Sequence, residues 1–157
     1  MTKPTILILV VVYLASVLIV GIFGMQIMSF NNINYIASIS LINDNDHLEF
    51  SHDRSLLHFK ETSKDDEATP YKLYDLVILE YKAGMTIKIT PRLTAVDPTL
   101  DPTNKELDVS VFCSENFPNC ITYANGVFTI NSMGDAIITY RSKDNSNQKM
   151  VIEFLIL

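Results

Sequence analysis

The sequence predicts an all-β fold, an antiparallel sandwich tethered by one N-terminal transmembrane helix. Three observations carry this prediction. No residue between Lys3 and Asp44 is charged, and within that gap residues 6–25 are Ile, Leu, Val, Ala, Tyr, Phe, Gly and Met, broken only by Ser16. Beyond position 30 no stretch keeps a 3.6-residue apolar period, whereas apolar and polar residues alternate in several runs. Each run is short and bounded by turn-forming Gly, Pro, Asn or Asp. The chain therefore divides into a short cytoplasmic end with its anchor (1–30), membrane-proximal strands with a polar loop (31–71) and a β-sandwich (72–157).

The anchor comes first. A helix over residues 6–25 spans roughly 30 Å, the thickness of a bilayer's hydrocarbon layer. A cleaved signal peptide would have a shorter apolar run ending in a small-x-small site. Here the run passes into Met25-Gln26-Ile27-Met28-Ser29-Phe30, which offers none. Gly21 and Gly24 are three apart rather than the four of a GxxxG contact face, and read as tolerated in lipid. Lys3 flanks the N-terminal side, while the next basic residue on the other side is Arg54. That asymmetry places the N-terminus in the cytoplasm and the body outside, in a single-pass protein of the cell membrane.

The body follows. Of 12 basic residues, removing Lys3 leaves 11 against 18 acidic ones, a net charge of −7. An acidic surface without a basic stripe excludes nucleic acid as a partner. Residues 35–42 read as a strand leaving the membrane, 48–50 and 56–60 as a small hairpin, 60–72 as a polar loop, and 73–81 as a buried strand. Segment 31–71 is either an elaboration of the sandwich or a separate membrane-proximal piece. Further on, Ile87, Ile89, Leu93 and Ala95 form one alternating set, Leu107, Val109, Val111 and Cys113 a second, and Ala136, Ile138 and Tyr140 a third. Asn125-Gly126 has the chemistry of a two-residue type I′ hairpin turn.

The terminal run 150–157 does not alternate. It is apolar on both faces except at Glu153. Met150, Ile152, Phe154, Leu155 and Ile156 therefore read as an interaction strand, its outer face covered by 31–71 or by a partner. With no C-terminal anchor expected after it, the N-terminal helix would be the tether.

From Tyr81 onward the order of features resembles a bacterial immunoglobulin-like domain of group 2. The resemblance rests on Ala83-Gly84-Met85-Thr86 before an alternating strand, then Asp97-Pro98, then the run 109–116 (VSVFCSEN). It continues through Thr122-Tyr123-Ala124-Asn125-Gly126-Val127-Phe128-Thr129 to Gly134-Asp135-Ala136-Ile137-Ile138-Thr139. It covers about residues 72–157. Phe112 stands where the family usually carries Trp, and the loop between the two cysteines is outside the usual pattern. The resemblance implies an immunoglobulin-like sandwich used for adhesion, spacing or display, with no catalytic residues to carry over.

Two residue sets carry candidate chemistry. Cys113 and Cys120 are the only cysteines. Outside the cytoplasm an even count reads as a disulfide, here closing an eight-residue loop at a gain of roughly 2.5 kcal/mol. Two free thiols are the rival reading. His47, His52 and His58 lie among Asp44, Asp46, Glu49 and Asp53, ligand types that suit Zn²⁺. Their spacing fits neither H-E-x-x-H nor a calcium loop, and solvated polar residues are the simpler reading. No G-x-S-x-G and no Gly-rich phosphate loop is present.

The expectation is a non-enzymatic extracellular module for adhesion, display or scaffolding, without cofactor or metal, meeting a protein or glycan ligand. An accessory subunit of a multi-protein membrane assembly is the alternative. A metal-dependent hydrolase using His47, His52 and His58 is the distant one.

Overall fold

The computed structural model describes residues 33–64, 71–144 and 146–157. The expected anchor over 6–25, with Gly21 and Gly24, lies outside them. Among the described residues no helix is long and apolar enough to cross a membrane. Among the described residues, the regular structure of the folded unit Asn34–Leu157 is strand, with one 3₁₀ turn at Arg54–Leu56.

Alternating residues become strands wherever one face finds a core. In chain order these are β1 (Ile36–Ser40), β2 (Leu48–Phe50), β3 (Leu57–Lys64), β4 (Tyr71–Ile78), β5 (Thr86–Ile89) and β6 (Arg92–Ala95). They continue with β7 (Leu107–Cys113), β8 (Ile121–Ala124), β9 (Val127–Ile130), β10 (Gly134–Ser142) and β11 (Lys149–Ile156). One sheet runs β3-β4-β11-β10-β7, a second β2-β5-β9-β8, and β1 pairs with β6. Leu48, Ile87, Phe128 and Ile130 from the second sheet share a core with Leu76, Ile138, Ile152 and Phe154 from the first. Fully burying each such side chain contributes about 1.5–3 kcal/mol, so this shared core holds the two sheets together. Phe128 and Tyr140 meet edge to face across it, ring centroids 6.4 Å apart.

The expected antiparallel arrangement holds for every strand pair but one. β4 and β11 run parallel, Lys72 opposite Met150 through Ile78 opposite Ile156. Apolar spacing has no direction, so it could not reveal this. β5 to β10 lie between the two strands in sequence, long enough to return the chain to the same end without a dedicated crossover.

Three local expectations are corrected. The set Ile87, Ile89, Leu93 and Ala95 is not one strand: β5 pairs with β2 and β9, whereas β6 pairs with β1. Pro91 separates them, since it has no N–H to give a ladder. Residues 48–50 and 56–60 do not form a hairpin, because β2 joins β5 and β3 joins β4. Asp53 caps the intervening 3₁₀ turn, its carboxylate accepting from Ser55 N–H at 2.9 Å, and the turn redirects the chain from one sheet to the other. The polar loop is also shorter than 60–72. Lys60, Glu61 and Thr62 are in ladder with Asp75, Tyr74 and Leu73. Backbone pairing needs no apolar side chain, and charged residues suit an edge strand. The described strands of 31–71 thus each pair with a strand from beyond residue 71.

Asn125 and Gly126 connect β8 to β9 with φ of 52° and 82°, and Ala124 faces Val127. Both positive φ values belong to a type I′ turn, whose twist matches the flanking strands. Gly134 opens β10 at φ 144°. A Cβ there would sit 2.5 Å from Phe117 Cβ, so only glycine lets the 114–120 loop close against β10.

Candidate functional site

The outward residues of the five-stranded sheet make a shallow site. In the central row Val77 of β4, Leu155 of β11 and Asp135 of β10 lie side by side. In the next row Asp75, Glu153 and Ile137 do the same. Phe112 of β7 continues that second row beyond Ile137, and Lys60 of β3 ends it beyond Asp75. The six central residues line a concavity of about 470 Å³. Its rim is apolar and open: Leu155 is 41% exposed, Ile137 44% and Phe112 66%.

The six central residues carry charge of one sign only, with Lys60 the cation at the end of the row. Asp75 and Glu153 are register partners on adjacent strands, where like charges repel. Asp75 Oδ2 accepts from Thr62 Oγ1 at 3.0 Å, and Asp135 Oδ1 from Ser114 Oγ at 2.9 Å. These neutral donors position the two carboxylates without neutralising them. Among the described residues none of the three acids forms an ion pair, although Glu61 and Glu49 each hold a lysine at 2.6 Å. A sheet holding three unpaired carboxylates around apolar side chains suits a surface that brings a cation flanked by apolar groups.

The proposed interaction strand needs correction in detail. Met150, Ile152, Phe154 and Ile156 point into the core and are at most 2% exposed. Strand alternation sends only Leu155 of the five outward, beside Glu153. β3 joins the same sheet as β11 through β4 rather than lying over its outer face, so Leu155 stays half-exposed. Asp75 and Asp135 escaped the sequence reading because their nearness to Glu153 depends on the strand order. One signal was available. Asp75 interrupts the apolar run Leu73–Ile78 as Glu153 interrupts β11, and both interruptions fall on the outward parity.

The three histidines stay separate in their bonding. His47 Nδ1 bonds Asp44 Oδ1 at 2.8 Å, His52 Nδ1 bonds Ser51 Oγ at 2.9 Å, and His58 sits in β3 opposite Val77. The bonds from His47 lead the causes that hold the Asp44 carboxyl below its usual range. Among the described residues no three His, Cys, Asp or Glu side chains are grouped as metal ligands.

The two cysteines are free thiols. Cys113 Sγ donates to Ile121 O at 3.6 Å and Cys120 Sγ to Asp135 O at 3.4 Å. Burial, with the Cys113 thiol beside it, pushes the Cys120 thiol up to about 12. A thiol so reluctant to ionise is a poor nucleophile.

Fold and surface together define an all-β, sandwich-like domain with an acidic and apolar outer sheet face. No protein-family model, no curated protein and no solved structure matches the chain.

Proposed function

We propose that this protein is a single-pass membrane-anchored immunoglobulin-like module. It displays its sandwich outside the cell and binds a protein ligand without catalysing a reaction. The observation that carries this reading is the outer sheet face, where Leu155, Ile137 and Phe112 are exposed around Asp75, Glu153 and Asp135. A rigid sheet with apolar anchors and unneutralised charge suits recognition. The strand order supports the immunoglobulin reading. Taking β5, β7, β8, β9, β10 and β11 as strands B to G gives B-E-D in one sheet and C-F-G in the other. The charge-free run over 6–25 and Lys3 support the anchor and its direction. In that oxidising setting Cys113 and Cys120, free thiols in this structure and neighbours in the fold, would close into a disulfide.

The second reading is an accessory subunit of a membrane assembly, favoured by the same half-exposed apolar face. Protease added to intact cells should digest the body, and full protection until lysis overturns the exported orientation. Native mass measurement of the detergent-extracted full chain separates the two readings. A hetero-complex that dissolves on Leu155→Asp identifies the assembly. A lone monomer that binds an external ligand, and loses it on the same change, identifies display. A variant that keeps its partner or ligand in both settings overturns this face as the binding surface.

A further inference from the structure

One outer row of the five-stranded sheet changes character along its length. Across the strands it reads Lys60, Asp75, Glu153, Ile137, Phe112, each residue the register partner of the next. One end is charged and the other apolar. Asp75, Glu153 and Ile137 line the shallow concavity together with Val77 and Leu155 of the neighbouring row. Phe112 stands exposed beside it.

The spacing of this row matches an extended chain. Neighbouring strands lie about 4.8 Å apart, so from a point midway between Asp75 and Glu153 the column of Ile137 is about 7 Å away and that of Phe112 about 12 Å. An extended chain advances about 3.3 Å per residue and turns every second side chain to one face. Its positions i+2 and i+4 therefore lie about 7 and about 13 Å from position i. A segment laid across the strands meets two carboxylates with its first side chain, Ile137 with its third and Phe112 with its fifth.

Charge says what the first side chain is. Among the described residues neither Asp75 nor Glu153 has an ion pair, and the hydroxyl of Thr62 holds Asp75 without neutralising it. Two carboxylates on neighbouring strands suit the planar fork of a guanidinium, which reaches both, better than the point charge of an ammonium. A cation between them also removes the repulsion of the cross-strand pair. Lys60 repels a cation on its own side, so charge fixes the direction of the segment, basic toward β4 and apolar toward β7. We propose that this face binds an extended segment of a partner protein with the pattern arginine-x-apolar-x-apolar, its arginine between Asp75 and Glu153 and its apolar side chains on Ile137 and Phe112. The inference rests on the reading of this face as a binding surface and names what it binds.

The probe is a fluorescein-labelled peptide containing Arg-Thr-Leu-Thr-Leu, titrated with the full chain in detergent and read by fluorescence anisotropy. Citrulline in place of its arginine keeps the shape without the charge and should weaken binding about ten-fold or more. The order Arg-Leu-Thr-Leu-Thr keeps the composition but turns the leucines away, and should weaken binding roughly five-fold. Glu153→Gln and Asp75→Asn should each cut the preference for arginine over citrulline about three-fold or more, while Lys88→Glu on the other sheet leaves it unchanged. Arginine and citrulline peptides that bind alike, or that both fail to bind, overturn the inference, as does a preference indifferent to Glu153→Gln and Asp75→Asn. If Leu155→Asp nonetheless releases the cellular partner, the binding face stands and only its arginine-led ligand falls. If Leu155→Asp leaves that partner in place, the binding face falls and the inference with it.

Discussion

Asp75 and Glu153 lie opposite one another on two parallel strands, their carboxylates sharing one concavity with no cation paired to either among the described residues. A like-charged cross-strand pair lowers stability, so its presence between otherwise apolar strands points to a use outside the fold. Glu153→Gln should raise the stability of the body by roughly 0.2–1 kcal/mol in denaturant unfolding while weakening ligand binding. A loss of stability would mean that Glu153 is held by a favourable contact instead.

The β8–β9 turn needs its glycine. Gly126 at φ 82° has open space around it, so Gly126→Val acts through backbone strain and should cost about 1–3 kcal/mol. Gly134→Ala adds the contact with Phe117 to such strain and should cost roughly 2–4 kcal/mol. Thermal unfolding checks both. Equal, negligible shifts would show that neither turn is as described.

Much of this was legible in the spacing of apolar residues, and the missing parts have physical causes. The parity of Ala136, Ile138 and Tyr140 fixed their burial, since a one-residue slip would have exposed all three. Strand direction and partner leave no trace in a period of two, so the parallel β4–β11 pair and the acids it gathers stayed hidden. Lys60, Glu61 and Thr62 look like loop because an edge strand can be polar. Pro91 was a readable stop that the alternation across it disguised.

The cysteine pair gives a redox-dependent alkaline limit. In the reduced protein, burial raises the Cys120 thiol from 9.0 to about 12, and burial also raises the Tyr140 hydroxyl above its ordinary value. A group whose folded pKa is raised adds stability that is full below the unfolded value and fades as pH climbs toward the folded one. Reduced protein should therefore lose stability progressively from about pH 9 upward. The oxidised protein, lacking the thiol, should lose less over the same interval. Non-reducing peptide mapping of protein from the cell surface should show Cys113 linked to Cys120. Two alkylatable thiols there would contradict the exported disulfide.

Asn34→Ala removes four side-chain bonds that hold the loop carrying Val96 and Leu100. Each is worth about 0.5–1.5 kcal/mol when fully formed, and solvent replaces part of that here, so a loss of roughly 1–2 kcal/mol is expected. Amide exchange should quicken at Asp97 and Val96 and stay unchanged in β10. Uniform quickening would mean that the loop is integral to the core.

The most direct test of the interaction surface is a photo-crosslinking residue at position 155, on the outer face of β11, in cells that make the full chain. The account predicts a discrete adduct with one protein, lost when Glu153→Lys reverses the local charge and retained when Lys88→Glu changes the other sheet. No adduct at position 155, or one indifferent to Glu153→Lys, would contradict the claim that this acidic, apolar face is where the protein meets its partner.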